Sequence, residues 1–488
     1  MKALLRISTD VVTKAPRTRG RFTRRLVENL RAALSRAGLA AQVTRDHVRV
    51  YLEAEDPRAL DVARRVFGVH SISPCLEEAL VDRDALVERG VALFADRVAG
   101  KRFAVRAKVR GVGSFGSQEV NETLGAALAE RGKVDLTHPE ITVQVEVRGG
   151  RVRYFTDTLS GFSGLPVGVE GRAVLLLSGG FDSAVAAWLA LRRGTALDYV
   201  FCRLGGAEHE RAVQEVANLL TREWGAGARA RLFVVPFEPV ADLIIERVSE
   251  RMRQLVLKKL MYSVAESIAR MVKAEAIFTG ESLGQVSSQT LRNLRALGQP
   301  ASMPVLRPLL GFTKEEIIAR AREIGTHDLC SGVPEYCALV PRRPATGSTA
   351  VEVDRSLEAM PFDPREAARL AVRLRLPAEL PPESAGKDRT KSEEIETAAA
   401  IPEGAVVLDM RPKALFEASH LPGAVLFDPS QVTPEMEDLD PDQTYVVVCE
   451  FGMRSAWLAQ HMRRLGLTAF NLRGGYPGKS LDTPRGGG

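Results

Sequence analysis

The sequence predicts a multidomain α/β protein: an α+β front end, a central α/β domain on a parallel sheet, and a small α/β domain at the C-terminus. Three observations carry this expectation. The chain has 488 residues, more than one hydrophobic core ordinarily organises. Short apolar strands alternate with helix-length segments through stretches of differing composition. A Pro-, Ser- and charge-rich run, "LPAELPPESAGKDRTKSEE" at 376–394, sets off the last stretch as a linker would.

In order along the chain, "KALLRIS", "HVRVYLE", "RFAVRAKV" and "ITVQVEV" read as strands between the helical "TRRLVENLRAALSRAG" and "DALVERGVALFADRVAG". Residues 171–345 alternate "AVLLLS", "DYVFCRL", "RLFVVPF" and "EAIFTG" with longer helices, the pattern of a parallel sheet. Residues 346–395 read as a helical segment and linker. The strands "AVVLDM", "TYVVVCE" and "TAFNLRG" with the helix "RSAWLAQHMRRLG" then suffice for one small domain at 396–482.

Hydrophobic residues make up 45% and charged residues 26%, the balance of a soluble globular chain. No apolar run approaches the roughly 20 residues of a membrane span. The opening "MKALLRISTD" reads as a strand and not as a signal peptide, so a cytoplasmic location and no membrane partner are expected. The five cysteines, Cys75, Cys202, Cys330, Cys337 and Cys449, contain no Cys-x-x-Cys pair, which argues against a four-ligand zinc site. The net charge of +6 is uneven: residues 1–170 hold 28 basic against 21 acidic residues, residues 395–488 hold 8 against 12. A basic front end points to a polyanionic partner.

The stretch "LLLSGGFDSAVAAWLALRRG" (175–194) joins a strand to a helix through two glycines. Gly179 and Gly180 let a ligand approach the backbone, the helix start offers N–H groups, and Ser178 and Ser183 add hydroxyls. This is a phosphate cradle of a type other than the Walker loop. The motif Ser-Gly-Gly-x-Asp-Ser resembles the pyrophosphate loop (PP-loop) of the ATP pyrophosphatase superfamily, which cleaves ATP to AMP and pyrophosphate. The resemblance implies that Asp182 holds a Mg²⁺ ion bridging the phosphates, in line with the preference of Mg²⁺ for carboxylate plus phosphate oxygens.

Further text narrows the likeness: "FTGESLGQVSSQTLRNL", "LKKLMYSVAE", "LRPLLGFTKEEI", "GLPVGVEGRAVLLLSGGFDS" and "GVPEYCAL". Together they resemble the tRNA 4-thiouridine synthase (tRNA uracil sulfurtransferase) family over nearly the whole chain. The resemblance implies ATP contacts at Leu176, Leu177, Lys258, Gly280 and Gln289 and a catalytic role for Lys314. It implies a ferredoxin-like domain at 1–60, an RNA-binding THUMP domain at 61–168 and a PP-loop domain at 171–345, with tRNA as substrate. It suggests a homodimer, a uridine target at position 8, and sulfur donation to the thiazole of thiamine.

In "VVVCEFGMRSAWLAQHM", Cys449 ends an apolar strand just before a helix start, with Arg454 close by in sequence. Such a position favours the thiolate and makes a nucleophile. Glu450, its neighbour, opposes that effect. The loop Cys-x-x-Gly-x-Arg resembles the active-site loop of rhodanese domains, which carry sulfur as a cysteine persulfide. Asp409, Arg411 and the turn at His420 read as structural parts of that fold. Cys337 lies in the Pro-bounded "SGVPEYCALVPRRPAT", and the family resemblance pairs it with Cys449 in a redox disulfide. Cys75 and Cys202 read as packing, and Cys330 lacks metal-ligand spacing.

The resemblance therefore implies adenylation of a tRNA uridine by ATP, followed by sulfur transfer from a Cys449 persulfide. A cysteine desulfurase would load it and a thiol reductant would reset it. On the front end, "FAVRAKVR" and "VRGVGSFGSQEVNETLGAAL" (109–128) are the candidate phosphate-backbone contacts. Two other readings stand beside this one: a PP-loop ligase or amidotransferase of a small substrate, which leaves the basic front end unexplained, and a non-catalytic RNA-binding sulfur carrier, which leaves the intact Ser-Gly-Gly-x-Asp-Ser unexplained.

Overall fold

The structure, a computed structural model, describes residues 1–46, 49–298, 302–333, 343–358, 360–378, 397–398, 401–427, 439–449, 453–472 and 475–476. The chain divides into two compact units. The first is Met1–Glu170 with Leu191–Thr195 and Arg222–Ala228; the second is Gly171–Ala190, Ala196–Thr221 and Arg229–Gly488.

The first unit is built on one nine-stranded sheet: β1 (Lys2–Ile7), β2 (Ala41–Arg45), β3 (Val50–Ala54), β4 (Val69–Ala79), β5 (Arg102–Arg110), β6 (Lys133–Val134), β7 (Ile141–Arg148), β8 (Arg151–Phe155) and β9 (Leu159–Ser160). The order is β2-β3-β1-β4-β8-β7-β5-β6, with β9 beside β4. The long β4 runs through both halves: residues 69–75 pair antiparallel with β1, and residues 76–79 with β8. The helix Pro16–Arg36 buries Leu26, Leu30 and Leu34 against Ala3, Leu5, Val50 and Leu52. Its apolar positions recur every four residues, one stripe of a helix. The helices Arg83–Val98 and Ser117–Leu128 cover Val105, Val143 and Val145 in a separate core.

The second unit holds two sheets. In the larger, β10 (Arg172–Leu176), β11 (Ala196–Arg203), β12 (Arg231–Pro236), β13 (Ile277–Phe278) and β14 (Val305–Leu306) are parallel, in the order β14-β13-β10-β11-β12. Every residue of β11 is buried, as a central parallel strand covered on both faces must be. The edge is closed by β15 (Val372–Arg375), antiparallel to β12. It follows the helices Ala350–Glu358 and Pro364–Arg369 in the stretch read as helical segment and linker. Its "VRLR" alternates apolar and charged residues, the pattern of a half-buried strand, which the linker reading passed over.

The smaller sheet is all parallel, in the order β16-β20-β19-β17-β18, from β16 (Thr397–Ala398), β17 (Val406–Asp409), β18 (Val425–Leu426), β19 (Thr444–Val448) and β20 (Thr468–Leu472). The helix Met453–Arg464 packs Leu458, Ala459 and Met462 on Leu408, Tyr445 and Val447. Among the described residues no helix is long and apolar enough to cross a membrane.

β10 lies between β11 and β13, so the chain leaves its two sides in opposite directions. That is a topological switch point, and it opens a crevice at the carboxyl end of β10.

Candidate active site

The loop at 177–180 and the first turn of the helix Phe181–Arg192 occupy that crevice. The reversal from strand to helix needs Gly179 at φ +85°, where a Cβ would also lie 2.9 Å from Val213 Cγ2. Ser183 Oγ donates to Gly180 O at 3.0 Å and accepts from Ser178 N–H at 3.2 Å, bracing the loop against the helix. The first helical bond runs from Ala184 N–H to Gly180 O. The amides before it have no helical acceptor, and the positive helix end favours an anion.

Asp182 stands in this first turn. Lys314 Nζ donates to its Oδ1 at 2.9 Å and Gln285 Nε2 to its Oδ2 at 2.8 Å. Lys314 opens the helix Lys314–Glu323, whose start is fixed by a capping box between Thr313 and Glu316. A cation in a first turn opposes the helix dipole, and the Asp182 carboxylate offsets this. Lys314 Nζ also lies 5.7 Å from the Phe181 ring centre, and His327 packs on the same ring at 5.4 Å.

Gly280 follows β13 and presses on the loop. A Cβ there would sit 2.6 Å from Ser183 N, so only glycine permits this approach. Lys258 Nζ bonds Glu281 at 3.0 Å. Glu281 is buried and also accepts from the Tyr262 hydroxyl, Thr279 Oγ1 and Arg307 Nε. Burial pulls its carboxyl up, but Lys258, Tyr262 and Arg307 outweigh this and hold it below the usual carboxylate range. Gln289 is only 8% exposed, in the turn Ser287–Gln289. Its Oε1 has no hydrogen-bond partner among the described residues, an acceptor left open at a cost. Leu176 is half-buried, and the buried Leu177 donates its N–H to Val200 O at 2.9 Å.

The structure thus brings Asp182, Lys314 and Gly280 onto one loop. Sequence reasoning missed Gln285 and Glu281, although both lie in the quoted "GESLGQVSSQ"; the Gln285 amide gave no charge signal. Cys330, in the helix His327–Ser331, is buried close to this loop. Burial pushes its thiol up to about 11, and the Asp182 charge adds to the rise, so at neutral pH it is not a thiolate. Burial likewise raises Cys75, to about 11, and Cys202. Among the described residues no group of three His, Cys, Asp or Glu is arranged to hold a metal.

Cys337 lies outside the described residues. The preceding chain is described as far as Val333, whose Cγ2 would lie 3.1 Å from a Cβ on Gly179.

Cys449 follows β19 and is 1% exposed. Ser455 donates its N–H to Sγ at 3.4 Å, and its hydroxyl lies 3.2 Å from the same sulfur and 2.7 Å from Asn471 Oδ1. These donors belong to the first turns of the helix Met453–Arg464. Residues 450–452 lie outside the description, as does the Arg454 side chain. Asp409 and Arg411 form a buried ion pair at 2.7 Å; Arg411 Nη2 also donates to Ser419 O at 2.7 Å, and its guanidinium lies over the Tyr476 ring. On the front end, Arg102, Arg106, Lys108 and Arg110 are exposed.

Four family models match in chain order: the ThiI ferredoxin-like domain (3–73), the THUMP domain (82–156), thiamine biosynthesis protein ThiI (168–362) and the rhodanese-like domain (393–480). The tRNA sulfurtransferase of Pyrobaculum aerophilum is 36% identical over 465 residues, 95% of each chain. That of Pectobacterium atrosepticum is 33% identical over 490 residues, 96% of this chain and 98% of that protein. A solved 4-thiouridine synthetase–RNA complex with bound ATP is 30% identical with a TM-score of 0.68, covering 77% of this chain and 99% of that one. A loop-and-crevice geometry of this kind, in a chain so similar along its whole length, leads to one conclusion: the chain belongs to the tRNA sulfurtransferase family.

Proposed function

We propose that this protein thiolates uridine 8 of tRNA in two steps, with ATP bound at the 177–183 loop. The observation that carries the proposal is the cluster of Asp182, Lys314, Gln285 and Gly280 on one glycine loop at the carboxyl end of β10. The loop amides, Ser178 and Ser183 hold the phosphates. Lys314 offsets their charge, and the open Gln289 Oε1 can accept from the nucleotide. Asp182 fits a Mg²⁺ site of the kind that uses one carboxylate plus substrate phosphates. Bound there, Mg²⁺ would neutralise phosphate charge.

The uridine O4 attacks the α-phosphorus and pyrophosphate leaves. The terminal sulfur of a Cys449 persulfide, loaded by a cysteine desulfurase, then attacks C4 and AMP leaves. Cys337 thiolate next attacks Cys449 Sγ, breaking the S–S bond to the RNA. The electron pair goes to 4-thiouridine, and a Cys337–Cys449 disulfide forms for an external thiol to reduce. The Ser455 donors stabilise the Cys449 thiolate that takes up sulfur from the desulfurase. The domains follow the chain order: ferredoxin-like and THUMP modules for tRNA, the PP-loop domain for ATP, the rhodanese domain for sulfur. The same persulfide would serve the thiamine thiazole.

The deciding experiment measures pyrophosphate release from ATP with and without tRNA. Release that requires uridine at position 8 is expected; release independent of tRNA points to a small-molecule ligase, and none at all to a carrier. A second expectation concerns Gly280→Ala. Its methyl must displace the loop backbone, so a loss of about 1–3 kcal/mol in stability is expected, with ATP affinity falling alongside. Calorimetry and ATP titration check this, and an unchanged ATP affinity would remove Gly280 from the nucleotide site.

A further inference from the structure

Part of the positive charge of the first unit is spent on its own acids. Arg58 pairs with Asp56, Arg83 with Asp84 and Glu119, Arg89 with Glu78, and Arg102 with Glu140. Other cations, the exposed Lys108 and Arg110 among them, make no ion pair among the described residues, and one stretch gathers several on a single helix. Residues 14–25 hold six cations and no acid. Two of the six serve the fold: Arg25 donates to Val167 O and Gly227 O, each at 3.0 Å, and Arg19 reaches Val12 O at 3.4 Å. The other four, Lys14, Arg17, Arg21 and Arg24, are exposed, and none makes an ion pair among the described residues. Arg45, also exposed, reaches Gly20 O at 3.4 Å and adds a fifth cation.

The geometry is regular. The helix Pro16–Arg36 turns Leu26, Leu30 and Leu34 inward, and at 100° per residue Arg17, Arg21 and Arg24 fall on the opposite face. From Arg17 to Arg24 the stripe is about 10 Å long. By itself this arrangement is unfavourable. Like charges at i and i+4 repel, costing about 0.2–0.5 kcal/mol per pair. Cations in the first turns oppose the helix dipole, and no acid stands in the first turn to compensate. An anionic partner would reverse both terms.

We infer that the face formed by Lys14, Arg17, Arg21, Arg24 and Arg45 docks the phosphodiester backbone of the tRNA. The inference rests on the reading that this chain acts on tRNA. Guanidinium groups match phosphate oxygens in pairs, which favours Arg over Lys at such contacts. The other residues of 14–24 are Ala15, Pro16, Thr18, Arg19, Gly20, Thr23 and the buried Phe22, so this stretch offers no exposed aromatic on which a base could stack. It therefore sets register along the backbone without reading sequence.

The test uses the full-length protein and the triple variant Arg17→Gln, Arg21→Gln, Arg24→Gln. Glutamine keeps helix propensity and removes charge. tRNA affinity is measured over a series of KCl concentrations. Each lost phosphate contact lowers the slope of log K against log salt by about 0.7–0.9, so a loss of about 2–3 is expected. ATP affinity and melting temperature should be retained. A control double variant, Arg83→Gln with Arg89→Gln, removes cations that are already paired and should leave the slope near wild type. A wild-type slope in the triple variant overturns the inference, as does a slope lost equally in the control. Loss of binding to anionic phospholipid vesicles with tRNA binding intact would also overturn it. Wild-type protein that binds no tRNA would instead sink the tRNA reading itself, so the two failures are distinguishable.

Discussion

Cys449→Ala should lose tRNA thiolation by on the order of 10⁴-fold or more, the scale seen when a covalent nucleophile is removed. The variant should also fail to accept labelled sulfur from a desulfurase. Cys337→Ala behaves differently: it should still be labelled, because the persulfide forms on the other cysteine, yet fail in sustained turnover for want of a resolving thiol. Wild-type protein taken through one turnover without reductant should yield a Cys337–Cys449 peptide pair. Cys330 is the alternative partner nearest in sequence, but burial keeps it a protonated thiol at neutral pH. Peptide mapping that finds Cys337 free after 4-thiouridine has formed would eliminate the disulfide step. Ser455→Ala, which removes the hydroxyl 3.2 Å from Sγ, should slow transfer without abolishing it.

Asp182→Ala should reduce tRNA-dependent pyrophosphate release by at least about 10²–10³-fold, the usual cost of one preorganised electrostatic partner. tRNA affinity should stay near wild type. The expected effect on folding is small. The Asp182–Lys314 pair is 26% and 42% exposed, and pairs of that exposure contribute about 0–1 kcal/mol. A melting temperature within about 2–4 °C of wild type is therefore expected. Large loss of rate with little loss of stability is the signature of a functional carboxylate. Asp182→Asn separates charge from shape: it can still accept from Gln285, but it turns N–H groups toward Lys314 and cannot bind Mg²⁺ as a carboxylate does. If either variant releases pyrophosphate at a near-normal rate, the loop assignment is wrong.

The sequence carried the local geometry well where backbone and side chain act between near neighbours. A strand running into Ser-Gly-Gly-x-Asp-Ser and then an Ala-rich helix can fold in few ways, and Gly179 takes the positive φ that the loop requires. Cys449 at a strand end before a helix start is equally local, and its Ser455 donors follow from that helix. Less was legible where partners are distant in sequence. Gln285 lies 103 positions from Asp182 and Lys314 lies 132, so neither contact leaves a pattern. β15 was passed over because only four residues, "VRLR", carry its apolar/charged alternation within a stretch read as linker; its Arg373 guanidinium lies over Phe233.

By itself, then, the sequence determined the order of the modules, the glycine loop after a strand, the strand-end position of Cys449 and the basic character of the front end. Each of these depends on neighbours along the chain or on composition. The tertiary structure alone decided which charges are already neutralised. Arg83, Arg89 and Arg102 meet acids across helices and strands, whereas the Arg17–Arg21–Arg24 stripe meets none among the described residues. It also decided that Lys314 holds Asp182 while Lys258 holds Glu281. Net charge sums over the chain, but an electrostatic contact decays over a few ångströms, so only the fold can say which cations remain available to a partner.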